Sequence, residues 1–324
     1  MTAQLHTPSS ATQLHNLLLL SDSALPLGTF AFSFGLESFL AHQPRQPKQP
    51  YSPQRPAHFS HPSGPRPSPS PSLPPTTPAT PAAHFQTFLP LTLSSQASTT
   101  LPFVSAAWHT PEDLAALDDA FDATVSCTVA RRASTKQGLA FVALWERSLH
   151  PAPPGTVRED VRGFVEAVDD YARALHAATA AAARPSARNA RSAAGSSTTI
   201  EMQIPGLHGH HPPLHGAIFR ALNLPLEHTL YAFLLGHARA VVSAGVRSGC
   251  VGPYEAQGLL MGEELRRLLE GLVREYGGVE VEGGVEVEGG KRRDVGIERA
   301  GQTVPVLEVL GGRAEVLYSR VFNS

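Results

Sequence analysis

The chain has 324 residues, with 26 Lys and Arg against 28 Asp and Glu, a net charge of −2, 29 Pro, 27 Gly and two Cys. Fourteen of the prolines fall between Pro44 and Pro81, and since one proline costs a helix interior roughly 3 kcal/mol, no regular helix crosses that window. Basic residues concentrate in three biased segments, 44–82, 183–202 and 277–293; the remainder is acidic, which excludes the basic face of a nucleic-acid binder, and two isolated cysteines exclude a disulfide framework and fit a reducing compartment.

The three segments read as disordered insertions in one domain spanning 1–324. The first is Pro-rich, the second Ser/Ala/Arg-rich, and the third holds the direct repeat VEVEGG-VEVEGG at 279–290. The remaining segments predict helix almost throughout, so the fold class is all-α, a single helical-bundle-like domain. The apolar run 17–20 is too short for a signal-peptide core. It closes a helix, and a Ser/Asp/Pro/Gly turn then leads into an aromatic-rich helix start at 30–37. Thr110-Pro111-Glu112-Asp113 predicts a helix start, with Thr as N-cap, Pro at the first position and carboxylates in the first turn. Leu114, Leu117, Phe121, Val125 and Val129 follow at intervals of three and four, one apolar stripe.

A further helix is predicted over 137–149, closed by Pro151, Pro153 and Pro154, and another from Val157 through Leu175. The stretch 213–222 predicts a short helix, Pro225 opens a long apolar one, and Gly252-Pro253 precedes a last helix ending at Tyr276. The apolar stretch 226–246 is long enough to span a bilayer. It carries Glu227, His228, His237 and Arg239, which are expensive in lipid, so it reads as a buried helix of a cytoplasmic protein with no membrane partner. Gly236, Ala240, Ser243, Ala244 and Gly245 keep one face of it small, a face for close helix packing or a dimer seam.

Catalytic signatures are absent: there is no phosphate loop, nucleophile elbow, HExxH or CxxC. Four histidines cluster as His208, His210, His211 and His215, and imidazoles at that density can bind borderline divalent metals. Their setting among Gly206, Gly209, Pro212, Pro213 and Gly216 defines no ligand geometry, so they are weak metal candidates in what reads as a polar loop. On this ground alone two functions stay open, a nickel- or zinc-dependent hydrolase built on the histidines and a peptide-binding adaptor using the Pro-rich segment.

Three motifs carry a resemblance. The first is the turn with Pro26, Gly28, Phe30, Ser33, Gly35, Leu36 and Glu37. The second runs from Ala238-Arg239-Ala240 through Ser243-Ala244-Gly245-Val246-Arg247 to Gly252-Pro253-Tyr254-Glu255-Ala256-Gln257. The third is the ending Tyr318-Ser319-Arg320-Val321-Phe322-Asn323-Ser324. In this order they resemble the signature of the urease accessory protein UreF family, with the three biased segments as insertions relative to it.

The resemblance implies an all-α, non-enzymatic protein, often a homodimer, that joins a UreD/UreH-type accessory protein and the GTPase UreG on apo-urease. Nickel would be handled by that complex, with no cofactor bound tightly to this chain. It also implies site residues: Tyr318, Ser319, Arg320 and Phe322 toward the UreD-type partner, and Arg247, Glu255 and Gln257 toward the GTPase. Ser33 and Glu37 would cap and orient the signature helix rather than touch a ligand.

Overall fold

The computed structural model describes residues 10–43, 80–150, 159–182, 206–278, 296–317 and 322. The three expected insertions lie outside the described residues, apart from 80–82 and 277–278. Among the described residues there are eleven α-helices, several short 3-10 or π turns and no strand.

The first long element is α3 (Pro81–His109), preceded by α1 (Ser10–Leu20) and α2 (Leu36–Ala41). The Thr80 hydroxyl accepts from the Ala83 N–H at 3.2 Å and Pro81 takes the first helical position. The helix therefore begins inside the stretch 44–82 assigned to the Pro-rich insertion. Pro90 and Pro102 lie inside α3. A proline at 102 leaves the Ser98 carbonyl without its helical donor, and the Gly301 N–H supplies one at 3.2 Å from the far end of the chain.

Two departures follow from local chemistry. The stripe from Leu114 to Val129 is not one helix: α4 (Leu114–Thr124) stops and α5 (Thr128–Leu144) begins after an extended Val125 and Cys127. Arg131 caps the break, donating to the Asp122 and Val125 carbonyls at 2.9 Å each and pairing with the Asp122 carboxylate at 3.1 Å. Thr110 makes no N-cap hydrogen bond; its hydroxyl donates back to Ala106 O at 3.2 Å and closes α3 instead. The last predicted helix is likewise two, α9 (Pro253–Met261) and α10 (Glu263–Tyr276), divided where Gly262 is extended.

The centre of the molecule is α7 (His211–Ala221), which packs on α3, α5 and α6 (Glu159–Ala182). All but two of its residues are buried, the pattern of a helix apolar all round. Gly216 lets it touch α3: a Cβ there would stand 2.1 Å from the Val104 carbonyl oxygen. Around this contact lies one core of Phe103, Phe121, Phe141, Trp145, Val168 and Ile218. A second core joins Phe85, Phe88 and Leu93 of α3 to Leu234 and Val241 of α8 (Leu226–Arg247) and Leu269 of α10. Helix α8 is long and apolar enough to cross a membrane by length and composition, and here twelve of its residues are buried within the protein. Its small face is used in part: Gly245 faces the Phe85 ring, where a Cβ would meet it at 2.5 Å, whereas Gly236 borders open space. A short helix near the end, α11 (Pro305–Arg313), completes the fold.

Candidate partner-binding junction

The signature turn joins α1 to α2 through strained backbone, exposed at its start and buried toward its end. Pro26 and Phe30 point outward, Phe30 being 66% exposed, while Ser33 and Leu36 are fully buried. Gly28 and Gly35 both take left-handed backbone, at φ 69° and 86°, and Phe34 between them does so at 52°. A non-glycine residue in that region carries strain. Phe34 is held there edge-on to His237, with ring centroids 4.4 Å apart. Gly35 approaches the backbone of α11: an added Cβ would lie 3.5 Å from the Gly311 Cα and N. The signature turn therefore docks the C-terminal region.

That docking continues one turn on. Glu37, half-buried, accepts from the Phe322 N–H at 3.4 Å. The Phe322 ring is 4% exposed and joins the core that contains Leu36 and Leu307. The Arg247 guanidinium carbon lies 4.4 Å from the centroid of that ring, cation–π geometry. Its Nε donates to Ser243 O at 3.3 Å, and partial burial lowers its pKa. One residue from each of the three motifs thus meets at a single junction, across 285 positions of sequence.

Beyond the junction, Glu255 and Gln257 are exposed on α9. Glu255 also accepts from the Gly252 N–H at 3.4 Å, closing the helix start. Beside them stand Tyr254 of the same motif, 93% exposed, and Met261, 86% exposed, which no sequence signal singled out. Tyr318, Ser319 and Arg320 lie outside the described residues.

The histidines are not a polar loop. Asp118, 1% exposed, accepts the backbone N–H groups of His208 at 2.5 Å, Gly209 at 3.0 Å and His210 at 2.7 Å, and so pins the segment against α4. Tyr171 also donates to Asp118, and burial together with that carboxylate raises the pKa of its phenol. His210 lies between Ser134 and Asp122 at 3.0 Å each. His208 lies 3.5 Å from Asp119 and 3.7 Å from Asp122. His211 stacks near Phe233, and His215 stacks on Phe219 with centroids 3.9 Å apart. Among the described residues no three His, Cys, Asp or Glu side chains are placed to hold a metal ion.

Burial holds several imidazoles neutral. His211 is lowered to about 4 and His237 to about 3, in each case by desolvation. With His215, Phe34 and Thr92 they line a largely apolar cavity of about 290 Å³ under the signature turn. Because each folded-state pKa lies below the ordinary 6.5, the unfolded chain binds protons that the folded chain refuses. Stability is therefore full above about pH 6.5 and falls as pH drops toward 3–4, by up to about 1.4 kcal/mol per pH unit for each such histidine. Urea unfolding between pH 7.5 and 4.5 is expected to show this loss, with a shallower slope in His237→Gln; an identical slope in that variant would contradict it.

The fold and the junction define an all-helical protein in which residues of three separate motifs, from both ends of the chain, meet at one place. A family model for UreF matches residues 79–263. The chain is 29% identical over 315 residues to the Schizosaccharomyces pombe protein named "Uncharacterized urease accessory protein UreF-like", covering 97% of this chain and 99% of that relative. It is 26% identical over 357 residues to "Urease accessory protein 6" of Cryptococcus neoformans, covering 97% and 98%. It is 24% identical over 307 residues to "Urease accessory protein F" of Oryza sativa, covering 94% and 82%. The chain belongs to the UreF family, and its role is accessory to urease maturation.

Proposed function

We propose that the chain is a non-catalytic scaffold that joins a UreD/UreH-type protein to the GTPase UreG on apo-urease, so that nickel can be inserted. Nickel is the cargo of the assembly, and the chain itself holds no resident cofactor. It acts in the cytoplasm as a homodimer. The observation that supports this reading best is the convergence of Glu37, Arg247 and Phe322 on one junction. Residues so far apart in sequence are brought together at one place in the fold, and Phe322 belongs to the same sequence motif as Tyr318, Ser319 and Arg320.

Two faces follow. The tail is the UreD-type face, where aromatic and Arg side chains make strong anchors. Exposed Glu255 and Gln257, with Arg247 at the end of α8, form the GTPase face. The internal contacts of His210, His211 and His215 weigh against a hydrolase built on them. The test is whether cells that lack this chain still make active urease.

A further inference from the structure

We propose that the cavity under the signature turn is a binding site for a small, neutral, largely apolar molecule carrying one hydroxyl, an alcohol or phenol, held by the unpartnered nitrogens of His211 and His215. The site stands apart from the scaffold reading and draws on none of Glu37, Arg247 or Phe322.

Two imidazoles give the cavity its open polar positions. His215 is 6% exposed, and its Nε2 lies 3.3 Å from the Thr229 carbonyl oxygen. A carbonyl only accepts, so Nε2 carries the hydrogen and Nδ1 keeps a lone pair. That Nδ1 is buried and meets no donor among the described residues, and the buried Nε2 of His211 is unpartnered in the same way. A buried acceptor without a donor costs free energy, and a ligand hydroxyl donating to Nδ1 would remove that cost. The two rings stand at 87° to each other with centroids 5.4 Å apart, within the span of one small molecule.

The hydroxyls along the walls are already engaged. Thr92 faces His237 Nε2 at 3.2 Å, Thr99 donates to Ser95 O at 2.8 Å and Thr100 to Gln96 O at 2.6 Å. Most of the remaining wall is apolar, with Phe34 from the signature turn, Phe141 from α5, Phe233 from α8 and Leu307 from α11. The volume of about 290 Å³ is roughly twice the ~150 Å³ that holds benzene, room for one substituted ring. A bridging water would satisfy the nitrogens and leave the apolar walls wetted, whereas a ring bearing a hydroxyl meets both demands. A cation fits worse, because burying charge against apolar walls is costly and among the described residues no three metal-binding side chains converge.

Fluorine NMR titrations of the full-length protein with para-fluorophenol and para-fluoroanisole test this, since the two probes differ in the donor hydroxyl. The phenol is expected to bind saturably at one site per chain, about five- to tenfold more tightly than the anisole, the span of one net hydrogen bond. In His215→Phe, which keeps a ring and removes Nδ1, the two probes should bind within twofold of each other. No saturable binding of the phenol, equal affinity for both probes in the wild type, or a preference that persists in His215→Phe overturns the proposal. The wild-type comparison decides the matter even where the variant does not fold. Displacement of the phenol by one equivalent of nickel(II) chloride would overturn it too, by making the cavity a cation site.

Discussion

Deleting residues 318–324 is expected to lower affinity for the UreD-type partner more than 100-fold while leaving the helical circular-dichroism signal intact. The deletion removes two things. One is the pair Tyr318 and Arg320, residue types enriched among interface hot spots, where a truncation costs about 2–4 kcal/mol, or about 30- to 1,000-fold in affinity. The other is Phe322, whose ring is 4% exposed within the core, and burying such a side chain contributes about 1.5–3 kcal/mol. The second loss softens the junction and does not dissolve the helices, which end at Arg313 and are packed through α3, α7 and α8. Phe322→Ala alone should give an intermediate loss. Undiminished capture by the truncated protein, measured by pulldown and biolayer interferometry, would show that the tail is not the docking element.

Asp118→Ala is expected to be the most destabilising single change in the buried polar structure. It removes the acceptor of the His208 and His210 N–H groups and of the Tyr171 hydroxyl, and leaves the Gly209 N–H with Tyr171 alone, at 3.2 Å. Each unsatisfied buried group costs about 1–3 kcal/mol, so a total of about 3–5 kcal/mol is reasonable against a domain stability of about 5–15 kcal/mol. At about 2–4 °C per kcal/mol for a chain of this size, Tm should fall by about 10 °C or more. Asp118→Asn keeps one acceptor oxygen and should fall between. The effect propagates because the pinned segment leads straight into α7, the helix on which α3, α5 and α6 pack. A Tm within 2 °C of wild type in Asp118→Ala would contradict this role.

Much of the helical architecture was legible where local signals act alone. Pro225 before α8, Gly252-Pro253 before α9 and the periodicity of α6 are short-range chemistry. What stayed hidden depends on distant partners. Helix α3 contains Pro90 and Pro102, and the helix persists through 102 with the freed Ser98 carbonyl bonded to Gly301, about two hundred residues away. The break between α4 and α5 interrupts an unbroken apolar stripe because Arg131 offers the exposed carbonyls a substitute donor. The histidine segment looked polar and loose by composition; one buried carboxylate on another helix makes it part of the core.

The site followed the same division. The motif resemblance pointed to Glu37, Arg247 and Phe322 one by one, and Arg247 and Phe322 were assigned to different partners. Their meeting at one junction is a tertiary fact that no spacing encodes. The exposure of Met261 was hidden because a single exposed apolar residue on a nine-residue helix has no period to reveal it.

The most direct test is to delete the gene and measure urease activity and urease-bound nickel in the same cells, in ordinary medium and with excess nickel. A scaffold for metal insertion predicts normal amounts of urease polypeptide that carries little nickel and has little activity, with at most partial recovery at high nickel. Full activity and full nickel occupancy in ordinary medium, without this chain, would contradict the account.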